Sequence, residues 1–147
     1  MNKQQMLEAM EHAKQVHIAQ MAKIESVMAG KEVTNPTALG KMDCDCGLWF
    51  YSNEKIMKEI LGALLFDKLD AHHEKWHRDY ANIYNIYFKE EKKGFFSKLI
   101  GAGKIDEMTK DKAKLYFSEL QQDTEELLQA TEVAKRRVNA LSDSKFR

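Results

Sequence analysis

Five histidines and two cysteines carry most of the reactive chemistry in this chain, and their spacing points to metal binding. His73 and His77 stand four residues apart, so on a helix their imidazoles share one face, about 6 Å apart at the backbone, and can converge on one ion. Such a pair alone is better explained as two hydrogen-bonded core histidines, and a solitary His17 on an apolar face as a third. The combination shifts the balance. Three imidazoles and a thiol buried between helices leave many polar atoms to satisfy, and one tetrahedral ion does so at a single point.

The thiol comes from Cys44 or Cys46, which are separated by one residue. A disulfide closing so small a ring would be strained, so both are expected as reduced thiols. A set of three imidazole nitrogens and one thiolate suits zinc and disfavours calcium and magnesium, which take oxygen donors. His12 falls off the apolar stripe of its helix. His72 is turned about 100° from His73, which makes both surface or supporting residues, with His72 the better spare ligand.

Long stretches free of helix breakers must position these residues. The chain has one proline, Pro36, and seven glycines, and its apolar residues recur at three- and four-residue steps, which predicts an all-α fold. A first helix is expected over Asn2–Met28, with Met6, Met10, Ala13, His17, Met21, Ile24 and Met28 on its buried face and Gly30 as its stop. Asn35-Pro36 reads as a helix cap followed by proline at the first helical position, opening a short irregular segment that carries both cysteines. Ser52 is expected to cap a helix from Asn53. Asp67 marks a break before a stronger helix over Lys68–Glu91, whose stripe of Leu69, His73, Trp76, His77, Tyr80, Ile83, Tyr84 and Tyr87 contains the histidine pair.

The last helix is expected over Asp106–Leu141. Phe117, Thr124, Thr131 and Val138 occupy one heptad position and Leu120, Leu127, Ala134 and Leu141 the other, a seam that could pair with a second chain. At about 1.5 Å per residue it runs to roughly 50 Å, longer than a small bundle needs. The expected organisation is a helical bundle over residues 1–92, a connector over 93–104 that folds back through Phe95, Phe96, Leu99 and Ile100, and a C-terminal helix over 105–147 that packs on the bundle.

Composition excludes several classes. Basic and acidic residues both number 23, and no segment gathers the lysines and arginines that phosphate neutralisation requires, so nucleic acid is not expected as a partner. Charges recur every few positions near the N-terminus and no apolar run approaches the roughly 18 residues of a membrane span, which predicts a cytoplasmic protein with no membrane association.

His17, the run Cys44-Asp45-Cys46-Gly47-Leu48-Trp49, and His73-Glu74-Lys75-Trp76-His77 together resemble the chemoreceptor zinc-binding (CZB) domain family. That family carries a histidine on its first helix, a Cys-x-(Leu/Phe)-Gly-x-Trp motif and a later His-x-x-x-His, and the likeness extends over about residues 10–90. It implies an antiparallel four-helix-bundle-like domain with His17, Cys44, His73 and His77 as zinc ligands. Cys46 takes a place usually held by leucine or phenylalanine. Gln20 and Met21 stand where the family often has a tryptophan one turn beyond the first histidine.

The resemblance also implies function: a sensory domain, usually homodimeric, in bacterial chemoreceptors and in the diguanylate cyclases of cyclic-di-GMP signalling, responding to zinc or, through its zinc-bound cysteine, to hypochlorous acid. No enzyme is expected, because four protein donors leave no position for an activated water. Output is expected to pass to a separate signalling protein. Two other readings compete: a module whose zinc only staples the fold for dimerisation or partner binding, and a haemerythrin-like di-iron protein. The latter needs about five inward histidines and bridging carboxylates, which this chain does not supply.

Overall fold

The computed structural model describes residues 1–89 and 105–146, which contain five α-helices and no strand. The expected connector, with Phe95, Phe96, Leu99 and Ile100, lies outside the described residues. In chain order the helices are α1 (Lys3–Met28), α2 (Asp45–Ser52), α3 (Glu54–Leu61), α4 (Ala63–Tyr87) and α5 (Glu107–Ala140), followed by a single 3₁₀ turn at Asp143–Lys145.

The long helices start where their side chains can satisfy the first free amides. Asn2 caps α1 in a reciprocal box with Gln5, and Asp106 caps α5 by accepting from the Thr109 amide. Two junctions differ from the sequence expectation. Ser52 is the last residue of α2, and Asn53 serves both helices, ending α2 and starting α3 without a side-chain cap bond. The break before α4 falls at Gly62, where φ is +83°, so Asp67 lies inside the helix. A left-handed backbone is inexpensive only for glycine, which makes Gly62 the position where the chain can turn this sharply. Asn35 likewise has φ +55°, outside N-cap geometry, and no helix follows Pro36 until Asp45.

Ion pairs between the long helices mark their relative directions. Lys14 and Lys135 tie α1 to α5 through Glu132 and Glu11, while Lys75 reaches Asp123 from α4. Both α1 and α4 therefore run antiparallel to α5. On the other contact, His17 meets Trp76 and Gln20 meets Tyr80, so α1 and α4 run parallel.

Two apolar clusters fill the interior. One gathers Met6, Met10, Phe50, Met57, Phe66, Leu69, Ala134 and Val138, and the other Ile24, Trp76, Tyr80, Ile83, Phe88, Leu120 and Leu127. The heptad seam of α5 belongs to these clusters: Leu120, Thr124, Leu127, Thr131, Ala134 and Val138 are all buried within the chain. Its threonines are satisfied internally, since Thr124 accepts from the Trp76 indole at 2.8 Å and both hydroxyls donate to carbonyls four residues back. The seam read as a surface for a second chain is thus occupied by α1 and α4.

Candidate metal centre

The level between the two apolar clusters is polar. His17 from α1, Cys44 from the end of the irregular segment, and His73 and His77 from α4 bring one donor atom each to within 4.8 Å of one another. Their residues are 2%, 2%, 3% and 5% exposed. His12 is exposed and His72 stands half-buried, 3.8 Å from Glu126, so neither joins the cluster.

Hydrogen bonds assign the free nitrogen of each ring. His17 Nδ1 lies 2.8 Å from the Ala13 carbonyl and His77 Nδ1 3.0 Å from the Leu39 carbonyl. A carbonyl only accepts, so both Nδ1 atoms carry the proton and both Nε2 atoms present a lone pair. Those two Nε2 atoms are buried without any hydrogen-bond partner. The third ring is fixed by a side-chain relay: Tyr51 donates to Asp70 Oδ1 at 2.6 Å, leaving its oxygen to accept from His73 Nδ1 at 3.2 Å. Lys41 completes the relay, donating to Asp70 at 2.9 Å. His73 Nε2 then points at Cys44 Sγ, 3.3 Å away.

Electrostatics favour the forms that can bind a cation. Burial pushes His17 down to about 4, which keeps the ring neutral at physiological pH. The Cys46 thiol, together with His73 and His77, holds Cys44 far below the ordinary thiol range despite its burial, while Cys46 is pushed up by Cys44 and by burial. Cys44 is also the N-cap of α2, where its sulfur accepts from the Gly47 amide at 3.2 Å, a position that favours a thiolate. Tyr51 is raised by burial and by Asp70, so it stays a donor. For Asp70 burial acts the other way, but the Tyr51 and Lys41 hydrogen bonds outweigh it and hold the carboxyl below its usual range.

Gly47 has a specific reason to be glycine. A Cβ there would sit inside the Lys41 carbonyl oxygen, so the requirement is close backbone approach rather than a left-handed turn. That approach folds the irregular segment back on α2 and delivers Cys44 to the histidines.

Residues 17–84 match the family model of the chemoreceptor zinc-binding domain. Over this stretch the chain is similar to the CZB family. The match begins at His17 and ends within α4, so α5 lies beyond it. No curated protein and no solved structure matches the chain. The donor set fits zinc: two orphaned imidazole nitrogens, a third nitrogen and a sulfur converge at separations a single ion with bonds of about 2.0–2.3 Å can draw together. The matched family is described as zinc-binding, and none of the described helices is long and apolar enough to cross a membrane.

Three supporting residues were not singled out from the sequence. Asp70 precedes His73 by three residues, a spacing that puts it on the same helical face, and this was the available signal. Tyr51 and Lys41 gave none. Gln20, standing near the family's usual tryptophan, is fully buried; it donates to the Tyr80 hydroxyl and accepts from the Thr37 amide, pinning the irregular segment to both α1 and α4. Trp76 supplies the indole against His17, edge-on with ring centroids 4.7 Å apart.

Proposed function

We propose that this chain is a zinc-dependent sensory module in which His17, His73 and His77, each through Nε2, and Cys44, through Sγ, hold one zinc ion. The observation that carries this reading is the convergence of the unpartnered His17 and His77 nitrogens on Cys44 and His73. Zinc bound there would supply a fixed tetrahedral anchor and keep the cysteine as a thiolate. The four donors fill such a shell, so binding rather than catalysis is the expected role.

The chain's own residues make the site a switch. Cys44 is both a donor and the cap of α2, so its loss from the donor set frees the start of that helix as well as the irregular segment before it. His17 packs on Trp76, and Trp76 donates to Thr124 on α5, which gives a contiguous route from the centre to the C-terminal helix. The input is zinc availability or an oxidant such as hypochlorous acid. The output passes through a homodimer or a separate signalling protein, in bacterial chemotaxis or cyclic-di-GMP signalling.

The near-complete burial of all four donors favours a second reading, in which zinc only staples the fold. Elemental analysis of protein purified without an affinity-tag metal tests the site. About one zinc per chain is expected, lost in His17→Ala, Cys44→Ala, His73→Ala and His77→Ala but not in Cys46→Ala. Helix content, melting temperature and oligomeric state then compare the zinc-loaded, zinc-free and oxidised forms. Identical values in all three would leave only the staple.

A further inference from the structure

Cys46 is a thiol beside the centre that the donor set does not use. It lies in the first turn of α2, half-buried, two residues from Cys44. On its other side is a cavity of about 40 Å³, lined almost wholly by apolar groups including Met10, Trp49, Leu69 and Leu127, with His73 completing the wall. A volume of that size admits a molecule not much larger than water, and its lining disfavours ions. Cys44 itself is 2% exposed, which keeps bulky disulfides from its sulfur. The cavity borders Cys46 and His73 and not Cys44, so a small uncharged reagent held there approaches the pair from the Cys46 side.

We infer that Cys44 and Cys46 form a reversible dithiol–disulfide pair, oxidised by a small neutral peroxide, and that closing the bond withdraws Cys44 from the donor set. This rests on the reading of Cys44 as a donor. The Cys44 thiolate attacks one peroxide oxygen, the O–O bond breaks, and the departing alkoxide or hydroxide takes a proton from solvent, leaving Cys44 as a sulfenic acid. The Cys46 sulfur then attacks the Cys44 sulfur. The S–O bond breaks, and the hydroxide leaves as water with the Cys46 proton. The two sulfurs lose two electrons, and the peroxide is reduced to one alcohol (or water) and one water.

The disulfide ring spans only Asp45, so its strain makes it easy for a thiol to reopen. Once bonded to Cys46, the Cys44 sulfur gives up the Gly47 amide, so oxidation removes the α2 cap together with the donor. Without Cys46, the sulfenic acid has no neighbouring thiol to capture it and proceeds to the irreversible sulfinic and sulfonic acids.

The zinc-loaded full chain is treated with hydrogen peroxide, followed by intact mass, peptide mapping and a chromogenic assay of released zinc, and then by dithiothreitol. Wild-type protein is expected to become about 2 Da lighter, to map a 44–46 disulfide, to release its zinc and to recover both on reduction. Cys46→Ala and Cys46→Leu, each loaded with zinc beforehand, should instead become about 32 or 48 Da heavier at Cys44 and stay zinc-free after reduction. A wild type that gains oxygen without the mass loss, or variants that release and regain zinc as wild type does, would overturn the pair. Variants that never load zinc would also overturn it, by making Cys46 a donor. Wild-type protein without zinc would sink the donor reading instead, and the mass change would still decide the pair.

Discussion

Among the described residues, three buried side-chain atoms lack a hydrogen-bond partner: the Nε2 atoms of His17 and His77, and Oδ2 of Asp123 on α5. The two nitrogens lie at the centre of the bundle and aim at a common point with a thiol and a third imidazole. The carboxylate oxygen lies at the α4–α5 contact, on a residue 3% exposed whose other oxygen takes Lys75 at 3.1 Å. Burial of the group and the neighbouring Asp79 push Asp123 up to about 6, so proton uptake relieves its cost as pH falls below about 6. An unpartnered buried atom is therefore not by itself a binding site. Convergence of several unlike donors is what separates the centre from the α4–α5 contact.

The largest effect should come from removing metal. Structural zinc contributes about 10–16 kcal/mol of binding free energy in small domains, so chelation should lower the melting temperature more than any single substitution away from the centre. A melt unchanged by chelator would put the centre on the same footing as Asp123.

Acidification should act oppositely on the two regions. His17 titrates at about 4 in the folded chain against 6.5 for an exposed ring, so its contribution to zinc-free stability is complete above pH 6.5 and is lost as pH falls through about 4. That loss amounts to at most about 3 kcal/mol. Asp123 is raised from 3.8, so the stability it contributes is complete below pH 3.8 and is lost as pH rises through about 6. Denaturant titrations of zinc-free protein between pH 4 and 8, with and without His17→Gln, should show the acid-side loss shrink in the variant.

Tyr51→Phe removes the acceptor for His73 Nδ1 without touching a donor. Zinc affinity should fall about tenfold, measured by competition with a chromogenic chelator, because the ring loses the bond that holds its tautomer and orientation. Unchanged affinity would mean that packing alone orients His73. The smallest effect is expected at the carboxylate: Asp123→Asn should raise the melting temperature at pH 7.5 by about 2–4 °C, the equivalent of roughly 1 kcal/mol, and do less at pH 5. Zinc content should not change.

Much of the fold was legible in the sequence where local chemistry and periodicity agreed. Both Asn2 and Asp106 stand immediately before long apolar-periodic stretches, and α1 and α5 begin one residue after each. The middle of the chain was harder. Ser52 and Asp67 are good capping residues by type, yet the turns fall at Asn53 and Gly62, because backbone direction there is set by how α2 and α3 must fold under α4. The α5 seam was visible as a heptad pattern, but a pattern states only that a face is buried and not which chain buries it.

Residue type and helical spacing in the sequence pointed to His17, His73 and His77 with a thiol from Cys44 or Cys46, and the family resemblance pointed to Cys44, the thiol that the fold brings to the histidines. Tertiary structure decided the rest. Only the packed fold aligns Ala13 and Leu39 carbonyls with His17 and His77, threads Tyr51 between His73 and Asp70, and sets Lys41 so tightly on Gly47 that no side chain fits. Those contacts join residues from different elements, and hydrogen-bond direction depends on coordinates that no local spacing contains.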